Sequence, residues 1–170
     1  MKNKILFAMV CALMFSLLSA VAFGQSEFSD SNADYTFSLP SDDWKMTVKP
    51  SAMSPNVEYV YRFKNEAHLE VRKTSVKASA LFGSIIREEE QKLQFRPGYV
   101  AGREENFKGA LEGRVFNYEF VRSGRNMSGR HYFLRSNPST VYILRFTGER
   151  DSLRTLRNET DLIARTFKIN

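Results

Sequence analysis

The sequence predicts an α+β fold: a mainly antiparallel sheet of about six to seven strands with two long helices packed on it, an α/β sandwich. Three observations carry this reading. Apolar and polar residues alternate over many short runs, the period of a half-buried strand. That period gives way to a helical one only twice, over residues 79–95 and 151–164. The strands also come in groups separated by few helices, which suits an antiparallel sheet better than a doubly wound parallel one.

At the N-terminus, Lys2 and Lys4 precede a predominantly apolar run that ends at Phe23. Ala22 and Gly24 fit the −3 and −1 positions of a cleavage site, so residues 1–24 read as a signal peptide cut after Gly24. An uncleaved anchor is the alternative, because the run is long enough to span a bilayer. A lipoprotein signal wants a small residue just before its cysteine, and Cys11 follows Val10. Cleavage removes Cys11, the sole cysteine, and leaves roughly 150 residues, a usual size for one core. A cysteine-free exported chain suits a bacterial envelope, so the expected location is periplasmic or secreted.

Residues 25–34 are polar and read as a flexible lead-in to a single domain at 35–170. Strand 35–39 alternates and is stopped by Pro40; a turn at Ser41-Asp42-Asp43 leads into strand 44–48. After a loop with two prolines, Val57, Tyr59, Tyr61 and Phe63 share one face of a third strand. A fourth, 67–73, turns Leu69 and Val71 one way and His68, Glu70 and Arg72 the other. Leu81, Phe82, Ile85, Ile86 and Leu93 form the apolar stripe of the first helix, with Ser79 as N-cap and Pro97-Gly98 as the stop. Strands follow at 113–122, 130–135 and 140–147, with a weaker one at 99–107. Asp151 or Ser152 caps the last helix, whose inner stripe is Leu153, Leu156, Thr160 and Ile163; Phe167 and Ile169 close the chain against the core.

Three of these pieces together resemble the PsbP superfamily: the opening Tyr35-Thr36-Phe37-Ser38-Leu39-Pro40 with Trp44, the helix at 79–95, and the closing segment through Thr166-Phe167. Bacterial DcrB-type lipoproteins and a Ran-binding nuclear import factor share that fold. The resemblance covers nearly the whole mature chain as an order of elements, and only the opening run matches residue by residue. It implies a non-enzymatic accessory or binding domain, and it transfers no ligand residues.

The residues themselves supply no catalytic motif. No cysteine remains after cleavage, and no Gly-x-Ser-x-Gly elbow is present. His68 and His131 sit on separate strands and read as half-buried strand residues rather than as a base or a zinc pair. Glu88, Glu89 and Glu90, or Glu104 and Glu105, are adjacent carboxylates that fan outward and solvate a face rather than enclose a metal. No cofactor is implied. The aromatic runs at 57–63 and 116–120 read as sheet packing.

The arginines of the last strands are more informative. A tight connection at 136–139 would place Arg135 opposite Thr140, Phe133 opposite Tyr142 and Arg130 opposite Arg145. A hairpin turning around Asn126 would then add Arg122 to one positive row. Like charges in such a row need compensation, from Glu119, Glu149, a helix carboxylate or an anionic partner. A loop at 123–129, with Arg125 and an exposed Met127, would overhang the same end. The expected binding residues are therefore Arg122, Arg125, Arg130, Arg145 and Met127.

The formal charge of +6 falls by two when Lys2 and Lys4 leave with the signal. That mild excess, in a compartment without accessible nucleic acid, points to a partner protein, an anionic envelope component or peripheral contact with a membrane surface. The expected function is a non-catalytic envelope binding protein. A small extracytoplasmic enzyme with an unrecognised site and a structural envelope protein without a ligand are the alternatives.

Overall fold

Alternating side chains let one sheet bury both of its faces, and the computed structural model, which describes residues 26–62 and 66–170, is organised around such a sheet. Its strands are β3 (Trp44–Val48), β4 (Val57–Tyr61), β5 (Ala67–Ser75), β6 (Val100–Lys108), β7 (Glu112–Arg122), β8 (Arg125–Asn137) and β9 (Thr140–Glu149). They lie in the order β3-β4-β5-β9-β8-β7-β6, antiparallel throughout. A smaller antiparallel sheet joins β1 (Ser26–Phe28), β2 (Tyr35–Leu39) and β10 (Lys168–Ile169) in the order β1-β2-β10. The helices are α1 (Phe82–Leu93), α2 (Arg150–Thr155) and α3 (Arg157–Thr166).

Two cores result. On one face, Val57, Tyr59, Leu69, Tyr132, Leu144 and Phe146 pack against Tyr35 and Phe37 of the small sheet, Leu153 and Leu156 at α2, and Ile163 and Phe167 at α3. On the other, Phe116, Tyr118, Phe120, Phe133 and Ile143 pack against Ile85, Ile86 and Leu93 of α1. The fold is thus the α+β sandwich that the sequence predicts, with helices on both sides of the large sheet. Trp44 is a packing residue, and its indole N–H donates to Glu159 at 2.9 Å.

Several local expectations are corrected. Residues 26–28 form β1 rather than a free lead-in, because Phe28 stacks on Phe37 at 4.8 Å between ring centroids and is buried there. The first helix starts at Phe82 with no side-chain cap, so Ser79 does not cap it and Leu81 is 77% exposed instead of buried. The last helical segment opens at Arg150 and breaks at Leu156 into α2 and α3. The 123–129 loop shrinks to a turn at Ser123 and Gly124, whose φ angles of 52° and 74° suit a tight hairpin, so β7 and β8 pair almost to their tips. The proposed signal at 1–24 lies outside the described residues.

Candidate functional site

Register decides where the arginines go. A bulge between Arg135 and Asn137 pairs Arg135 with Val141 instead of Thr140, Phe133 with Ile143 and Arg130 with Phe146. A slip of one residue turns every side chain to the opposite face. Arg130 and Arg145 therefore lie on opposite faces, and the expected positive row does not form. Arg122 pairs with Arg125 across the hairpin tip, not with Arg130. Arg125 is exposed and contacts Glu149 at 2.7 Å. Met127, expected to be exposed, is buried in the core beneath α1.

Arg145 faces α1. It donates to Glu70 at 2.9 Å and to Glu89 at 2.7 Å, while Glu70 also accepts from Arg72. Beside it, His131 is fully enclosed and shares a 3.0 Å hydrogen bond with Tyr118. Burial first, and then the charges of Arg145 and Arg96, hold the imidazole well below its ordinary range. Burial also pushes the Tyr118 hydroxyl up to about 12. His131 Nδ1 and Arg145 Nε have no hydrogen-bond partner among the described residues. His131 lines none of the described cavities, so its shift arises from packing. His68 is half-buried on the same face and contacts Glu58 at 3.1 Å.

Arg130 points the other way, under the C-terminal helices. Its Nε donates to the Tyr132 hydroxyl at 2.6 Å, its Nη1 to Asn117 at 2.8 Å and its Nη2 to Asp161 at 2.8 Å. Those contacts leave two of the five guanidinium N–H groups unspent. Arg130 forms part of the wall of a groove of about 420 Å³, together with Asn117, Glu119, Ser128 and Leu153. Arg150, Arg154 and Arg157 also line it. Their i, i+4, i+7 spacing lays them along one stripe of the segment that carries Leu153 and Leu156 into the core.

The three rim arginines differ from Arg130 in having no side-chain hydrogen bonds among the described residues. Arg150 lies 3.7 Å from Glu119 and Arg157 lies 3.9 Å from Glu105, both loose ion pairs. Arg154 approaches Asp151 at 3.2 Å, but both side chains are more than three-quarters exposed. A fixed guanidinium in the wall and three adjustable ones on the rim can together grip a carboxylate or phosphate. The spacing of 150, 154 and 157 was visible in the sequence. By itself it marks no site, because the polar stripe of an amphipathic helix reads as solvated surface.

No protein-family model matches this chain, and no curated protein matches it in sequence. Solved structures do. It is similar to cyanobacterial PsbP (CyanoP) from Synechocystis, at 13% identity and TM-score 0.61, over 89% of this chain and 96% of that one. It is similar to LpqN, involved in cell envelope biogenesis of Mycobacterium tuberculosis, at 16% identity and TM-score 0.58, over 86% and 91%. The Saccharomyces cerevisiae Ran-binding protein Mog1p aligns at 10% identity and TM-score 0.63, over 87% and 96%. The chain therefore has a PsbP-like fold, and within that fold the groove is lined by four arginines.

Proposed function

We propose that this chain is an exported, non-catalytic binding protein that holds an anionic group of an envelope partner in the arginine groove. The observation that carries this reading is the set of unspent donors on Arg150, Arg154 and Arg157 around the anchored Arg130. The basic n-region, apolar run and Ala-x-Gly ending at residues 1–24 support export. LpqN, whose fold is similar, is involved in cell envelope biogenesis, and Mog1p, also similar, binds Ran.

The test begins with protein recovered from the envelope of an expressing host, whose intact mass reports a cut after Gly24. Calorimetry with inorganic pyrophosphate as the anion probe then measures the groove. Binding should weaken steeply with salt, and the triple variant Arg150→Gln, Arg154→Gln, Arg157→Gln should lose about tenfold in affinity. Unchanged pyrophosphate binding by a folded triple variant would remove the groove from the proposal.

A further inference from the structure

We infer that the loop joining α1 to β6 and the β7–β8 hairpin tip form a second contact surface, one that docks on an anionic phospholipid membrane with Phe95 inserted. It rests on observations separate from the groove. Phe95 is 90% exposed, and water is a poor neighbour for its ring. The backbone holds the Phe95 loop beside the hairpin. Val121 N–H donates to the Pro97 carbonyl at 2.7 Å, and Gly98, at φ 61°, lets the loop lie against Val121, where a Cβ would meet Cγ2 at 2.8 Å. Arg96 sits over the Phe120 ring at 4.6 Å, and Phe120 lies two residues along β7 from the exposed Arg122.

The charges around this tip are open to a partner. No ion pair among the described residues engages Arg96 or Arg122. The carboxylates nearby are already turned elsewhere: Glu149 contacts Arg125, Glu119 contacts Arg150, and Glu90 accepts from Tyr99. An exposed ring on a loop that carries Arg96 and is bonded next to the Arg122 strand matches an anionic bilayer, which takes up the ring while its headgroups meet the guanidinium groups.

Shape separates a membrane from a protein partner. Phe95 is 90% exposed and lines none of the described cavities. A protein partner needs roughly 800 Å² of complementary surface on each side. A fluid bilayer accepts a single protruding ring without any matching pocket.

The experiment places the reporter at the inserted position. Protein carrying Phe95→Trp is recovered from the envelope of an expressing host and mixed with phosphatidylglycerol vesicles or phosphatidylcholine vesicles. Trp44 is buried, so its emission stays constant while position 95 reports its own surroundings. The expected result is a blue shift with phosphatidylglycerol, quenched by brominated acyl chains and much weaker with phosphatidylcholine. Arg96→Gln and Arg122→Gln should each lower vesicle partition about fivefold. The Arg150, Arg154, Arg157 triple variant should still insert, which keeps this surface distinct from the groove. No shift with phosphatidylglycerol would overturn the inference, as would equal partition into both vesicle types. Photo-crosslinking from position 95 to a protein instead of quenching by lipid would overturn it as well.

Discussion

His131 and Arg145 stand directly opposite each other across β8 and β9, on the sheet face that α1 covers. A protonated imidazole there would meet a guanidinium in a dehydrated layer, so the histidine stays neutral and bonds to Tyr118. Glu70 and Glu89 flank Arg145 and balance its charge. This buried layer ties α1 to the sheet with ion pairs as well as with apolar contacts.

Removing Arg145 should therefore cost more than removing any rim arginine. Arg145→Gln strands the buried Glu89 with only Lys92, 3.5 Å away, and should destabilise by about 3–5 kcal/mol in urea unfolding. Adding Glu89→Gln to that variant should recover part of the loss. If Arg145→Gln alone changes stability by less than the error of the measurement, the layer is not what fastens α1.

Stability should fall as pH drops below about 6.5, with His131 as the cause. Below its ordinary value of 6.5 the unfolded imidazole takes a proton that the folded one refuses until far lower pH. The unfolded state then binds more protons, so the contribution is complete above that value and is lost on acidification, by at most about 1.4 kcal/mol per pH unit. Glu70 adds a second loss below its ordinary 4.5: burial works to raise its pKa, but hydrogen bonds from Arg72 and Arg145 prevail and hold it down. Urea midpoints measured across this range should show the upper slope in the native protein and not in His131→Leu.

The groove should separate into one structural arginine and three dispensable ones. Arg150→Gln, Arg154→Gln and Arg157→Gln each remove an exposed, loosely paired side chain and should leave stability within about 0.5 kcal/mol. Arg130→Gln leaves the partly buried Asp161 without its cation and should destabilise clearly, by about 3 kcal/mol. Thermal melts of the single variants decide this before any ligand is added.

Core truncations should follow the observed burial. Ile85→Ala, Leu153→Ala and Leu156→Ala each open space in a filled core and should cost about 2–5 kcal/mol. Leu81→Ala, at an exposed position just before α1, should be close to neutral. Denaturant midpoints for the four variants would show whether the helix begins where the structure places it.

Much of the fold was legible because periodicity is a local property. The alternation of Val57, Tyr59 and Tyr61 and the stripe of Leu153, Leu156, Thr160 and Ile163 each name a buried face, and those faces are buried. The resemblance carried by residues 35–40 and Trp44 pointed to the same PsbP-like sandwich. Short-range signals failed where the deciding contact came from afar. Phe28 looked like part of a polar lead-in until Phe37 gave it a stacking partner, and Leu81 looked like core until the chain placed it ahead of the first helical turn.

By itself, then, the sequence determined most of the strands, the two helical stretches and, for elements such as β4 and β5, which side turns inward, since side-chain spacing along one element settles those questions. Only the tertiary structure decided the arginines. Whether Arg130 meets Arg145 or backs onto Phe146 depends on a one-residue bulge between Arg135 and Asn137. The groove needs β7, β8, α2 and α3 brought together from distant parts of the chain. Register and convergence are set by the packing of whole faces against one another, and no run of neighbouring residues contains that information.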